Sequence, residues 1–316
     1  MSTSNENAGW PALPYPDWAE TCTALHLWSQ IVGKYRLART PWVNHSWHAT
    51  LYVSARGFTT SLIPDGHRDI EISFDLMDHA LVGAASDGRT AHFELGPRSV
   101  ADFHGRFREL LRELGATAEF HGRPNEVPDP VPFSEDKTER PYDREAVSRF
   151  HRASVSIDRV LNRFRTSFIG KVSPVHLFWG SFDFAVTRFS GRRAPLHPGG
   201  IPALPDEITR EAYSHEVSSA GFWPGGGGID YPAFYSYAYP APPGFADAPV
   251  EPEGARYDPD LGEFLLPYDI VRKASDPDAA LLSFLESTYR AAADLGNWDR
   301  EALECPAGIP RRPRPL

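Results

Sequence analysis

An aspartate in an otherwise apolar segment is the residue of this chain that most strongly suggests chemistry. Asp183 lies between Val175 and Phe189, where both faces of a predicted strand are largely apolar, as in a strand buried on two sides. A carboxylate there must be paired, hydrogen-bonded or protonated, because an isolated buried charge costs several kcal/mol or more. Asp183 is therefore a candidate catalytic group, and the alternative is a structural pairing with Arg188 or Lys171.

Glu211, Tyr213 and His215 form a second group of polar side chains. The segment 212–220 is predicted to be a strand, and in a strand these three residues alternate onto one face. A carboxylate, a phenol and an imidazole that converge can transfer protons or bind a metal. The same alternation is also typical of a half-exposed strand that has no catalytic role.

A metal site can be assembled from residues of both groups. His176, Asp183 and His215 together would suit a divalent metal such as Zn, Fe or Mn with open coordination positions. The spacing of these residues does not establish that they meet in the fold.

Substrate contacts are predicted for two cationic and three aromatic residues. Lys171 and Arg188 could fix an anionic small molecule, and Trp179 lies in the same segment as Asp183. Tyr235 and Tyr237 share one face of a predicted strand at 233–239 and could line a pocket for a flat or sugar-like ligand. An ordinary sheet surface is the alternative for the tyrosines.

Two parts of the chain resemble each other. At an offset of 132 residues, Trp47 pairs with Trp179, and Asp183 takes the place of Leu51. This pattern predicts an internal duplication in which the second copy acquired a site.

Periodicity and capping residues predict the elements that must position these side chains. A helix is expected to begin at Asp17 and end near Gly33, and another is expected to follow Ser99. Alternating segments between turn dipeptides predict antiparallel strands. The expected fold class is α+β, with two similar halves, each of them helix, antiparallel β-meander, helix. The predicted boundaries are an extension at 1–16, a first half at 17–122, a Pro-rich linker at 123–141, a second half at 142–304 and a tail at 305–316.

Composition limits the classes of partner. The 316 residues carry a net charge of −10 with interspersed signs, so no broad cationic surface for nucleic acid is expected. The sequence has no apolar run of about 18 residues, so no contact with a membrane is expected. Only two cysteines occur and residues 1–7 lack a secretory pattern, which predicts a cytoplasmic location.

Four strings resemble a known bacterial family of roughly 300-residue proteins that is known only as a domain of unknown function. They are HLFWGSFD at 176–183, EAYSHE at 211–216, GFWPG at 221–225 and LHLWSQIVGK at 25–34. The resemblance implies one evolutionary unit over nearly the whole chain, and it implies no activity, cofactor or catalytic residue.

The residues themselves favour a cytoplasmic enzyme that acts on a small molecule, which could be anionic, in a pocket of the second half. The alternatives are a non-catalytic small-molecule binding protein and a protein-interaction module that uses exposed aromatic residues.

Overall fold

The computed structural model describes residues 9–314, which form two antiparallel sheets of six strands each together with seven α-helices. The predicted α+β class with two sheet-containing halves is thereby confirmed. Residues 1–8 of the predicted extension and residues 315–316 of the predicted tail lie outside the described part.

The first half contains α1 (Tyr15–Arg39), β1 (Tyr52–Ser54), β2 (Gly57–Thr59), β3 (Ile63–Asp65), β4 (Arg68–Asp75), β5 (Ala80–Ala85), β6 (Thr90–Glu94) and α2 (Val100–Glu113). The second half contains α3 (Arg144–Arg165), β7 (His176–Phe178), β8 (Asp183–Arg193), α4 (Asp206–Ala212), β9 (His215–Trp223), β10 (Ala233–Tyr239), β11 (Arg256–Asp258), β12 (Glu263–Pro267), α5 (Tyr268–Arg272), α6 (Pro277–Leu295) and α7 (Arg300–Leu303). Short 3₁₀ turns lie at Asn44–Ser46 and Phe245–Asp247.

Helix α1 is longer than the sequence predicted at both ends. Pro14 is its N-cap, and Asp17 lies within the first turn instead of capping the helix. The helix continues past Gly33 to Arg39, and this glycine has a packing role within the helix instead of ending it. A Cβ at Gly33 would clash with the indole ring of Trp179.

The first sheet has the strand order β1-β2-β4-β5-β6, with β3 paired to β4, and α2 packs on it. Ser99 caps α2 as predicted, because its Oγ accepts a hydrogen bond of 3.2 Å from the Asp102 backbone N–H. A Cβ at Gly83 of β5 would clash with Leu110 of α2 and with its C-cap residue Leu114, so the small residue allows close approach of helix and sheet.

The second sheet has the order β11-β12-β10-β9-β8-β7, and it departs from prediction in two places. The predicted strand at 175–189 is two strands, because the chain reverses between them at Phe182, which has a φ of 59°. Leu177 therefore lies opposite Phe184, on the other face from Asp183, which lies opposite Phe178. The predicted strand at 212–220 starts only at His215, because α4 occupies the preceding residues.

The segment between α2 and α3 crosses the protein without a helix or a strand in residues 123–139. It does more than connect the halves, since Phe133 is fully buried and Asn125 is hydrogen-bonded to α1 through Gln30. This crossing brings Asn125 and Glu126 against the second half.

The two halves are joined through backbone and core. Leu51 and Leu177 exchange two backbone hydrogen bonds, of 3.0 and 2.8 Å, in an isolated antiparallel bridge. Buried apolar side chains from both halves belong to one continuous cluster. The offset of 132 places α1 on α3 and β1 on β8, but it equates the 3₁₀ turn at 44–46 with strand β7 at 176–178, so it superposes only part of the elements. Internal duplication stays a prediction.

Within residues 9–314, none of the helices combines the length and the apolar character needed to cross a bilayer.

Candidate functional site

A cavity of about 320 Å³ lies on the face of the second sheet opposite α3 and α6. Strand alternation and pairing build its floor, because residues that lie directly opposite each other on neighbouring strands project to the same face. The 3₁₀ turn at 44–46, α4 and the segment around residue 126 supply the walls. The floor residues are Asp183, Ala185, Thr187 and Phe189 of β8, Val217, Ser219 and Trp223 of β9, Tyr235 and Tyr237 of β10, and Glu263 of β12.

Asp183 is buried in the cavity floor, as the sequence predicted from its apolar surroundings. Asp183 is 5% exposed. One of its carboxyl oxygens accepts a hydrogen bond from the Ser181 hydroxyl group, and the other accepts one from the Tyr235 hydroxyl group. Burial raises the pKa of Asp183, and the two hydroxyl donors oppose that rise. Gly221 makes this contact possible, because a Cβ there would clash with the Tyr235 hydroxyl group.

Glu126 reaches the cavity from the irregular segment between the halves. Its backbone is in the left-handed region, with a φ of 56°, which a non-glycine residue rarely adopts and which is often found at functional sites. The carboxyl group of Glu126 lies against Gly180, and a Cβ at Gly180 would clash with it. Protein encloses this carboxyl group on most sides, and desolvation, followed by the charge of Asp183, raises its pKa to about 7 despite the opposing charge of Lys34.

Glu263 is the third carboxyl group of the cavity. Strand β12 alternates, so that Phe264 and Leu266 are buried in the core cluster while Glu263 shares the face of Tyr235. Desolvation raises the pKa of Glu263 to about 8, with further contributions from the charges of Asp183 and Asp258. Its Oε2 is buried and has no hydrogen-bond partner among residues 9–314.

Aromatic side chains enclose the carboxyl groups. The Trp223 and Tyr235 rings stack with centroids 4.5 Å apart, and the Tyr235 and Tyr237 rings stack at 6.1 Å. The Tyr213 and Tyr237 hydroxyl groups share a hydrogen bond of 2.8 Å, and burial raises the pKa of Tyr213 to about 12. Trp179 lines the cavity and donates a hydrogen bond of 2.5 Å to the Ala49 carbonyl, which ties the two halves together there.

Three other predicted site residues gather around His45, which lines one side of the cavity. Glu211, on α4 and not on a strand, accepts a hydrogen bond of 2.9 Å from the His45 backbone N–H. Lys171 donates one of 2.6 Å to His45 Nε2, and the rings of His45 and His215 are 6.1 Å apart. The predicted single-face arrangement of Glu211, Tyr213 and His215 is wrong, because the first two residues belong to α4 and its C-cap.

Arg188 lies away from the cavity. It is 1% exposed on the opposite sheet face, where it donates hydrogen bonds to the Phe164 carbonyl and to Ser167 Oγ and lies 3.5 Å from Glu286 Oε1. The guanidinium group stacks on Phe164, at 3.4 Å from the ring centroid. The structure thus places Arg188 in a structural network and not beside a substrate.

The predicted metal-binding set is not assembled. His176 is fully buried, its two ring nitrogens have no hydrogen-bond partner in the described chain, and its ring packs 4.6 Å from that of Phe178. Desolvation lowers the pKa of His176 to about 3. His215 lies near His45 instead, and no group of three His, Cys, Asp or Glu side chains in residues 9–314 has the geometry to hold a metal ion.

Sequence reasoning missed Glu126 and Glu263. Glu126 lies in a Pro-rich stretch whose local pattern predicts only a connector. Glu263 offered a weak signal, because it opens a short apolar strand, Glu263–Pro267, just as Asp183 opens β8.

These features define a class: an α+β protein of two joined sheets with an aromatic and acidic cavity between its halves. The chain belongs to the family of unknown function DUF5996, whose family model matches residues 10–305. No curated protein and no solved structure matches the chain significantly.

Proposed function

We propose that this protein is an enzyme that acts on a small organic molecule in the cavity by general acid–base chemistry. One observation carries the proposal: Asp183, Glu126 and Glu263 face one cavity, and burial gives Glu126 and Glu263 pKa values of about 7 and about 8. A carboxyl group with such a pKa is both a competent acid and a competent base near neutral pH.

The hydrogen bonds suggest different roles for the three carboxyl groups. Both oxygens of Asp183 are engaged by hydroxyl donors, so this residue orients Tyr235 and holds the floor of the cavity. Glu126 and Glu263 make no side-chain hydrogen bond to the described residues, so they are free to exchange a proton with a ligand. The acid–base pair of the proposal is therefore Glu126 and Glu263, and His215 and Glu211 contribute only through His45.

A cytoplasmic location is part of the proposal. Cys22 and Cys305 are both free, which fits a reducing compartment.

The proposal is tested by incubating the purified protein with a small-molecule extract and following all components by mass spectrometry. We expect at least one compound to be consumed, with a rate that depends on groups titrating near pH 7 and pH 8. Glu126→Gln and Glu263→Gln should each lower that rate about 100-fold or more. Glu253→Gln, a change at an exposed glutamate before β11, is the matched control and should leave it unchanged.

A compound that is retained by the parent protein and lost from Glu263→Gln, yet never converted, would favour the alternative of a non-catalytic binding protein. Consumption that is equal in the parent and in both cavity variants would refute the proposed site.

A further inference from the structure

The ionisable side chains that line the cavity are mostly acidic. Asp183, Glu126 and Glu263 contribute three carboxyl groups, whereas the described lining residues include no lysine and no arginine. His45 is the one basic side chain among the described lining residues, and desolvation lowers its pKa, which disfavours its positively charged form. A ligand that enters this cavity meets acids and aromatic rings.

Neither of the two nearest lysines is itself a lining residue, and both are already engaged by side chains of the cavity wall. Lys34 is hydrogen-bonded to the Asn125 side chain and lies 5.5 Å from the centroid of Trp179. Lys171 donates to His45 and lies 5.2 Å from the centroid of Trp47. Only Lys34 is close enough to influence the pKa of Glu126.

Two of the three carboxyl groups lack a donor in the described protein. Asp183 is satisfied by two hydroxyl groups, but the buried Glu263 Oε2 has no partner, and the enclosed Glu126 carboxyl group makes no hydrogen bond. A buried acceptor without a donor, such as Glu263 Oε2, carries a free-energy cost. A ligand that supplies N–H donors or a positive charge at this place would remove that cost.

The aromatic lining favours the same kind of ligand. Trp223, Tyr235 and Tyr237 stand in a stacked row beside the carboxyl groups, and Phe178 lies opposite Asp183 on β7. Aromatic faces attract cations, most strongly where water is excluded. The protein's own lysines already lie over Trp179 and Trp47 in this way.

We infer that the natural ligand is an organic cation, with a protonated amine or a quaternary ammonium group seated between Glu126, Glu263 and Asp183 and an apolar body lying against the tyrosine row. This inference rests on the proposed small-molecule site and names its substrate class. It reverses the expectation of an anionic ligand, because neither Arg188 nor Lys171 lines the cavity.

Three probes of matched shape test the charge of the ligand: benzylamine, benzyl alcohol and benzoate. Their binding to the full-length protein is measured by isothermal titration calorimetry at pH 7.5. We expect benzylamine to bind at least about tenfold more tightly than benzyl alcohol, and benzoate to bind most weakly. The double variant Glu126→Gln/Glu263→Gln should abolish this preference, whereas Glu253→Gln should keep it.

The outcomes separate this inference from the proposed function. If the alcohol or the acid binds as tightly as the amine, the cation inference is overturned while the cavity remains a binding site. An amine preference that survives in the double variant would place the binding elsewhere on the acidic surface and would overturn the inference as well. If none of the three probes binds, both the inference and the proposed site are contradicted.

Discussion

Replacing Glu263 by glutamine is expected to stabilise the protein increasingly as the pH rises. Desolvation and the charges of Asp183 and Asp258 raise the pKa of Glu263 from 4.5 to about 8 in the fold. Between these values the native protein holds a proton that the unfolded chain has lost, so the free energy of unfolding of the parent falls as the pH rises through this window. A shift of about 3.5 units, at about 1.4 kcal/mol per unit, corresponds to about 5 kcal/mol above pH 8.

Glutamine cannot ionise, so the free energy of unfolding of the variant does not fall in this way as the pH rises. The difference in the free energy of unfolding between Glu263→Gln and the parent should be small at pH 5 and should reach several kcal/mol at pH 8. Urea denaturation at pH 5, 6, 7 and 8 measures it, with Glu253→Gln as a control whose difference from the parent stays flat. A difference for Glu263→Gln that does not grow with pH would refute the idea that this carboxyl group is buried without compensation.

Three further variants test other placements in the structure. His176→Leu should gain stability relative to the parent as the pH falls from 7 to 5, because burial lowers the pKa of His176 to about 3 and the unfolded chain then binds the extra proton; denaturation at both pH values checks this. Gly180→Ala should displace the Glu126 carboxyl group and weaken benzylamine binding in calorimetry with little effect on the melting temperature, and unchanged binding would contradict that position. Arg188→Met should destabilise the fold by about 3 kcal/mol in urea, because it removes the buried hydrogen bonds of the guanidinium group to the Phe164 carbonyl and to Ser167 Oγ, yet should preserve the order of probe affinities.

The sequence predicts the parts of the fold whose signals are local. Ser99 accepts the N-terminal hydrogen bond of α2, as a capping residue does, and this helix was expected. The tyrosine row of β10 and the burial of Asp183 also follow from alternation, since a strand has a period of two.

The remaining parts depend on contacts that are distant in sequence. Glu211 was expected on a strand because polar alternation can occur in either element, whereas the structure has it on α4, which packs against the turn at 44–46. Glu126 lies in the irregular segment between α2 and α3, which has no periodic pattern. Its pKa depends on burial by residues from the other half. Arg188 resembled a substrate contact because the sequence does not reveal which sheet face the helices cover.

The bridge between Leu51 and Leu177 has a consequence for how this protein can be divided. The floor of the cavity comes from the second half, while Trp42, Trp47 and Glu126 close it from the N-terminal side. Neither half is therefore a self-sufficient module. Two fragments cut within 127–132 should each lack ligand affinity and regain it only on reassociation, which would make the chain suitable for a split reporter of its own ligand.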